Sequence, residues 1–298
     1  MAIKTWSTPV ETETTRTIPC ALCGGEVFSP HLYCEGFSYV RCTRCGLVQM
    51  NPQPENDAVR RRYRERYGED YLAYELANEA AFLRLQELAL EDAGLDGIEK
   101  EIMRTNTAPP SVLDIGCATG ALLATLRDRG WACTGAEISP SAEYARKRGL
   151  DVRDRILEEN EFPDASANAG FDLVLASHLI EHLNDPASFV AEVHRILKPG
   201  GDFIVTTPNI DGFQARLFGG RWRSAIFDHL YLFSIKTLSR LLTEHGFAIE
   251  RVRTWGGLAA GTAPAALKRI ADKAAKRFGV GDVMLIRGKR KDMVTGPL

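Results

Sequence analysis

The chain has 298 residues, of which 45% are hydrophobic and 26% charged, and a net charge of −2. That length holds one large α/β domain with an appendage, or two modest domains, and the near-neutral balance excludes a nucleic-acid binder that relies on bulk positive charge. No run approaches the ~18 apolar residues of a membrane span, and the polar opening MAIKTWSTPVETETTRTIP has no apolar signal core, so a cytoplasmic protein without a transmembrane segment is expected.

Residues 1–18 are Thr-rich and read as a flexible N-terminus. Residues 19–52 hold C-A-L-C and C-T-R-C, two pairs separated by 18 residues. That spacing matches a four-cysteine zinc site made by Cys20, Cys23, Cys42 and Cys45, structural because four thiolates leave no open position. Gly24 and Gly46 follow the pairs at once, Cys34 is a spare, and a redox disulfide is the rival reading. Residues 53–105 turn helical and charged and read as a linker or lid, with Tyr63, Tyr67, Tyr71 and Tyr74 at three- and four-residue spacing.

From 106 to 298 strands and helices alternate. SVLDIG is a strand and ALLATLRDRG a helix closed by Gly130; WACTGAEI is the second strand, and Ser139 caps the helix PSAEYARKRG. LDVRDRI and FDLVLAS are strands, Asp185-Pro186 opens a helix running to Leu197, Lys198–Gly201 is a turn, and DFIVTTP is the fifth strand. Such repeats imply a parallel sheet covered on both faces, with a ligand at the carboxyl ends of the strands. The first strand ends in VLDIGCATG. Its pattern is not G-x-G-x-x-G but D-x-G-x-x-x-G, from Asp114, Gly116 and Gly120. The small residues let a ligand approach the backbone, and the acid favours a cation over a bare pyrophosphate. Glu137 closes the second strand about 20 residues on, where an acid holds ribose hydroxyls. A ribose plus a cationic amino-acid portion describes S-adenosylmethionine.

VLDIGCATG, GAEIS, FDLVLASHLIEHLNDP and LKPGGDFIVTTPN resemble the successive motifs of class I S-adenosylmethionine-dependent methyltransferases. The resemblance covers roughly residues 110 to 254. It implies a Rossmann-like α/β fold, with a seven-stranded sheet whose last strand is antiparallel and whose final two strands are RVRTWG and VMLIRGKR. By the same resemblance Asp114, Gly116 and Gly120 line the methionine end, Glu137 binds the ribose, Cys117, Ala118 and Ile138 also belong to the cofactor site, and Ile156 and Leu157 border the adenine, flanked by Asp154 and Glu158. Ser177 and His178 close the fourth strand beside the cofactor. PCALCGG…YVRCTRCGLVQMNPQP is similar to N-terminal zinc modules fused to small-molecule methyltransferases, some of them sugar-modifying.

Methylating an alcohol needs an aligned nucleophile, a dry site and a base. SHLIEHL offers His178, Glu181 and His182, which share one face if the segment is helical. The same H-x-x-E-H string looks like an inverted zinc-protease motif, which its setting at a strand end opposes. FDHLYLFS offers His229, backed by Asp228 or a neighbour, after a long loop bearing Asn209, Arg216, Trp222 and Arg223 that reads as a substrate wall. His229 ranks ahead of His182 as the base; local packing of either is the bland alternative. The segment 257–281 carries a basic amphipathic helix with Lys268, Arg269, Lys273, Lys276 and Arg277, either a solvated face or a site for an anionic partner. The function expected is transfer of a methyl group to a small-molecule substrate, a hydroxyl of a sugar or natural-product intermediate. The alternatives are an RNA or protein methyltransferase using the zinc module for recognition, C- or N-methylation of a small molecule, and a non-catalytic cofactor-binding scaffold. Few basic residues in the zinc segment argue against nucleic acid, and the oligomeric state is left open.

Overall fold

The computed structural model describes residues 14–34, 36–62, 69–105, 108–154, 162, 165, 169–257 and 265–291. Its N-terminal part holds β1 (Thr15–Arg16), β2 (Phe28–Cys34), β3 (Phe37–Cys42), β4 (Val48–Met50) and β5 (Gln53–Pro54). Two turns of one design bracket β2 and β3. Gly24 N donates to Cys20 O at 2.8 Å, and Gly46 N donates to Cys42 O at 2.9 Å. Both glycines have positive φ, 65° and 85°, which is why a glycine follows each cysteine pair. Three helices follow: α1 (Asn56–Arg61), α2 (Glu69–Ala93) and α3 (Leu95–Thr105).

The rest is β6 (Ser111–Ile115), α4 (Ala121–Asp128), β7 (Ala132–Ala136), α5 (Ser141–Lys147), β8 (Asp151–Arg153), β9 (Phe171–Ser177), α6 (Pro186–Ile196), β10 (Leu197–Pro208), α7 (Phe213–Phe218), β11 (Tyr231–Leu232), α8 (Ile235–Glu244), β12 (Phe247–Trp255), α9 (Ala265–Phe278) and β13 (Val283–Arg290). Seven strands make one sheet in the order β12-β13-β10-β9-β6-β7-β8. β6, β7, β8, β9 and β10 run parallel, while β13 is antiparallel to both β10 and β12, as the resemblance implies. Successive side chains leave a strand on opposite faces, and both faces here are apolar. Val112, Leu173 and Leu175 pack with Leu122, Leu123 and Leu126 of α4 and Leu90 of α2. Leu113, Val174 and Ala176 pack with the other cluster, which includes Phe189 and Val193 of α6 and Leu238 and Leu241 of α8.

Three local readings change. Pro140, not Ser139, takes the cap position of α5, and Ser139 Oγ accepts from Ser141 N at 3.3 Å. The expected turn at Lys198–Gly201 is a register irregularity inside β10, between Leu197 and Asp202. The N-terminal sheet is also not self-contained: its order is β11-β4-β3-β2, and β11 lies more than 180 residues downstream of β4. Asp185 does cap α6, accepting from Ser188 N at 2.9 Å with Pro186 in the first turn. No helix among the described residues is long and apolar enough to cross a membrane.

Candidate active site

The chain runs outward from β6 to β7 and β8, then returns to β9 on the other side of β6. The carboxyl ends of β6, β7 and β9 therefore surround a switch point, where such sheets hold their ligands. Asp114 sits there in β6, 1% exposed, and its Oδ2 is buried without a hydrogen-bond partner. Burial, reinforced by the Glu137 charge, pushes its carboxyl up to about 8. Gly116 follows at φ 75°, with Leu179 the nearest neighbour on the side where a Cβ would stand, at 3.6 Å. At Gly120, φ 74°, a Cβ would press into Leu150 and lie 3.0 Å from that of Ala145. Cys117 is buried, and Ala118 adopts φ 48° between the glycines.

Glu137 braces this loop. Its carboxylate accepts from Ala118 N at 3.0 Å and from Ser139 N at 2.8 Å. Two acids absent from the sequence reading come from α2. Glu75 accepts from Ser141 Oγ and is 8% exposed; burial, opposed by that bond and aided by Glu137 and Glu79, raises it to about 7. Glu79 accepts from Thr119 Oγ1 at 2.7 Å and from Arg148 Nη2 at 2.8 Å. Their spacing of four residues on a helix was the available signal. Ile138 and Asp154 line a cleft with Ser139, Pro140, Ala142 and Arg146. Ile156, Leu157 and Glu158 lie outside the described residues, as do Tyr63 and Tyr67 and the side chain of Tyr71. Tyr74 is 41% exposed and packs on Phe82.

Ser177 ends β9 with its hydroxyl 2.9 Å from Thr206 Oγ1. His178 then takes φ 51°, which breaks the expected helical face; only Ile180–His182 forms a single 3-10 turn. As a result Glu181 is fully buried while the His178 side chain is 49% exposed. Glu181 Oε2 accepts from Thr207 Oγ1 at 2.9 Å. Its Oε1, 3.4 Å from His178 Nδ1, makes no aligned hydrogen bond. Burial would raise this acid, but His178, then His182 and His229, hold it down to about 2.

His229 meets this cluster from the far end of the loop. It stacks edge-on against His182 with ring centroids 4.6 Å apart. A nitrogen of each ring and an oxygen of Glu181 lie within 4.8 Å of one another, a spacing that one cation could bridge. His229 Nδ1 bonds Ser224 O at 2.8 Å, and His182 Nδ1 bonds Asp228 O at 2.9 Å. Each ring thus has its Nδ1 proton on a carbonyl and its lone pair on Nε2. The expected support of His229 by the Asp228 side chain is replaced, because that carboxylate is buried in an ion pair with Arg62. Burial, then the His182 charge, lowers His229 to about 3. The expected substrate wall is also corrected in part. Asn209 donates to Gly281 O at 3.0 Å, while Trp222 Nε1 and Arg223 Nε both reach Asp282 at 2.5 Å. These residues tie the loop to the start of β13. Arg216 remains on its surface. On α9, Lys276 pairs with Asp92, while Arg269, Lys273 and Arg277 are exposed.

The four cysteines converge as their spacing requires. Sγ of Cys20 is 3.4 Å from that of Cys45, and Sγ of Cys23 is 3.6 Å from that of Cys42. A tetrahedral ion with bonds of ~2.3 Å sets sulfurs near ~3.8 Å apart, so the thiols fit zinc closely. Cys34 stands apart, its thiol against Gly220 O.

Residues 82–252 match the family described as a methyltransferase domain. The chain belongs to that family. This methyltransferase is 35% identical over 142 residues to a Mycolicibacterium smegmatis protein named as a probable S-adenosylmethionine-dependent methyltransferase, covering 47% of this chain and 52% of that one. It is 34% identical over 134 residues to the ubiquinone biosynthesis O-methyltransferase of Caulobacter vibrioides, covering 43% and 50%. The match thus spans about half the length of these relatives. A candidate sarcosine dimethylglycine methyltransferase of Galdieria sulphuraria shares the fold, with a TM-score of 0.50 at 16% identity over 72% of this chain and 88% of that one. The family's methyl donor, S-adenosylmethionine, carries an ammonium and a sulfonium charge. At the carboxyl end of β6 this methyltransferase has a buried carboxyl oxygen of Asp114 without a hydrogen-bond partner, followed by a left-handed loop at Gly116, Ala118 and Gly120.

Proposed function

We propose that this chain transfers the methyl group of S-adenosylmethionine to a hydroxyl of a small molecule, a sugar or natural-product intermediate, with a histidine taking the proton. The observation that carries the chemistry is the convergence of Glu181, His182 and His229, on the segment whose Leu179 packs beside Gly116. When bound, S-adenosylmethionine supplies a methyl group made electrophilic by its sulfonium. Asp114 gives its cationic end a counter-charge, Gly116 and Gly120 admit it to the backbone, and Glu137 meets the ribose while bracing Ala118. Ile138 belongs to the same cofactor site, next to Glu137, and Ser177 and His178 border the reacting end; Ile156 and Leu157, outside the described residues, are assigned to the adenine by the resemblance alone.

The bound donor would give its methyl group to the acceptor oxygen and leave as the neutral thioether, and His182 Nε2 would take the hydroxyl proton. This reverses the ranking drawn from sequence. His182 is only partly buried, whereas His229 is 7% exposed and held far below the usual imidazole range. His229 serves instead as the neutral wall against which His182 stacks, and the ionised Glu181 stabilises the imidazolium that forms. The four cysteines hold a structural zinc, and the acceptor is a small molecule rather than RNA.

Turnover of wild type, His182→Ala and His229→Ala, measured with methyl-labelled donor over a panel of hydroxylated metabolites, tests the reading. His182→Ala should lose ~10²–10⁴-fold in rate, with donor affinity unchanged. Full turnover by that variant would overturn the base assignment. Turnover lost on dialysis against a chelator that leaves the four-cysteine zinc in place, and restored by a divalent cation, would replace it with metal chemistry.

A further inference from the structure

One side chain of the N-terminal module reaches the backbone of the turn that carries His229. Tyr39, on β3, is wholly buried. Its hydroxyl lies 2.8 Å from Ile226 O and 2.7 Å from His229 O, so one proton is shared between two carbonyls of a single turn. The turn closes on itself where His229 N donates to Ile226 O at 3.0 Å. Between those carbonyls lies Asp228, whose own carbonyl faces His182 Nδ1 at 2.9 Å. The phenol therefore fixes both flanks of the peptide group that orients His182.

The rest of the module grips the same turn. Phe37 stacks edge-on against Tyr39 at 5.7 Å and against Phe227 at 5.6 Å. Met50 N donates to Leu230 O at 2.8 Å, and β4 then pairs with β11 through Gln49–Tyr231 and Val48–Leu232. From the opposite side Leu230 N donates to Glu181 O at 2.7 Å. The turn is thus held between the cysteine-bearing sheet and the loop that carries Glu181 and His182.

We propose that Tyr39 is a positioning residue of the acceptor site, and that through it the N-terminal module sets the tautomer and direction of His182. This rests on the reading that His182 takes the acceptor proton. Tyr39 reaches no reacting atom; it acts through the 226–229 turn. A phenylalanine there keeps the ring stacking but removes the donor, taking the phenol from the His229 carbonyl and leaving Ile226 O to the His229 amide alone.

The test compares full-length wild type, Tyr39→Phe and Tyr231→Phe. Tyr231 is a control: an equally buried tyrosine of the same sheet whose hydroxyl bonds Asn184 O instead, at 2.9 Å. Three readouts are taken. They are calorimetric affinity for S-adenosylhomocysteine, amide hydrogen exchange over residues 226–230, and nitrogen NMR of the histidine rings. Tyr39→Phe should speed exchange in the turn by at least ~10-fold and shift the His182 ring from a single Nδ1-protonated tautomer to a mixture, with affinity unchanged. Tyr231→Phe should leave the ring signals as they are. Unaltered exchange and ring signals in Tyr39→Phe would overturn the proposal; so would a parallel loss of affinity, which marks a general defect. If Tyr39→Phe does not fold, Phe37→Leu, which loosens the turn through Phe227, must move the same signals or the proposal falls. If Tyr39→Phe moves the His182 signal while His182→Ala still turns over at full rate, the positioning stands and the base assignment alone fails.

Discussion

Asp114 combines two costs that a cationic ligand would relieve. Its carboxyl is buried, and one oxygen has no partner. Because its folded value is raised to about 8, the native apo chain holds a proton there that the unfolded chain has released. That contribution to stability is full below the unfolded carboxylate range near ~4 and is lost as pH rises towards the folded value. Binding a cation requires the ionised form, so donor binding should release a proton at neutral pH. Affinity for S-adenosylmethionine should climb with pH up to about 8 and level off above it. Calorimetry in buffers of different ionisation enthalpy reads the proton directly. Asp114→Asn should weaken binding and flatten the pH dependence, and a wild-type affinity independent of pH would contradict this account. The sequence made Asp114 legible because a lone acid between a strand and a glycine turn is a local pattern. It did not make the His182 environment legible, because the carbonyl that orients the ring belongs to Asp228, 46 residues away.

At the scale of elements, most strands and helices could be read in order, since alternation and caps are local signals. Asp185-Pro186 starts α6 and the glycine loop starts α4 as their chemistry demands. The face shared by His178, Glu181 and His182 could not be read, because His178 turns into the left-handed region and only three residues remain helical. The contacts of α2 were also hidden. Glu75 and Glu79 look like solvated charges, yet they fasten the helix to Ser141, Thr119 and Arg148 around the glycine loop. The tightest joint in this region is Gly120, where the α4 start meets Ala145 and Leu150. Gly120→Ala adds a Cβ in a left-handed position against packed neighbours and should destabilise the chain by about 1–3 kcal/mol. Thermal unfolding with and without S-adenosylhomocysteine measures it. An unchanged melting temperature would show that the loop is not packed as described.

Across the whole molecule, the cysteine-bearing sheet and the methyltransferase sheet are joined by β11, which belongs to one in sequence and to the other in pairing. Pairing at such sequence separation leaves no periodic trace, so the sequence suggested an appendage where the structure has a sheet bonded to the segment that carries His229. On the proposed reading, in which this sheet walls the acceptor site and the four cysteines hold zinc, the metal should matter for turnover more than for donor binding. Purified, reduced chain should contain one zinc per molecule. Its removal by a chelator should abolish methyl transfer, while affinity for S-adenosylhomocysteine stays within about twofold because the proposed donor site lies on β6, β7 and β9. Metal analysis together with calorimetry before and after chelation checks both halves. The central claim, that the glycine-loop donor site and the histidine cluster together methylate oxygen on a small molecule, is tested most directly by following the label. Metabolites would be incubated with the chain and S-adenosylmethionine labelled in its methyl carbon, and the product methyl identified by NMR. The account predicts the label in an O-methyl ether of a low-molecular-weight product, absent with Asp114→Asn and strongly reduced with His182→Ala. Label on nitrogen, sulfur or carbon, or in RNA or protein, would contradict it.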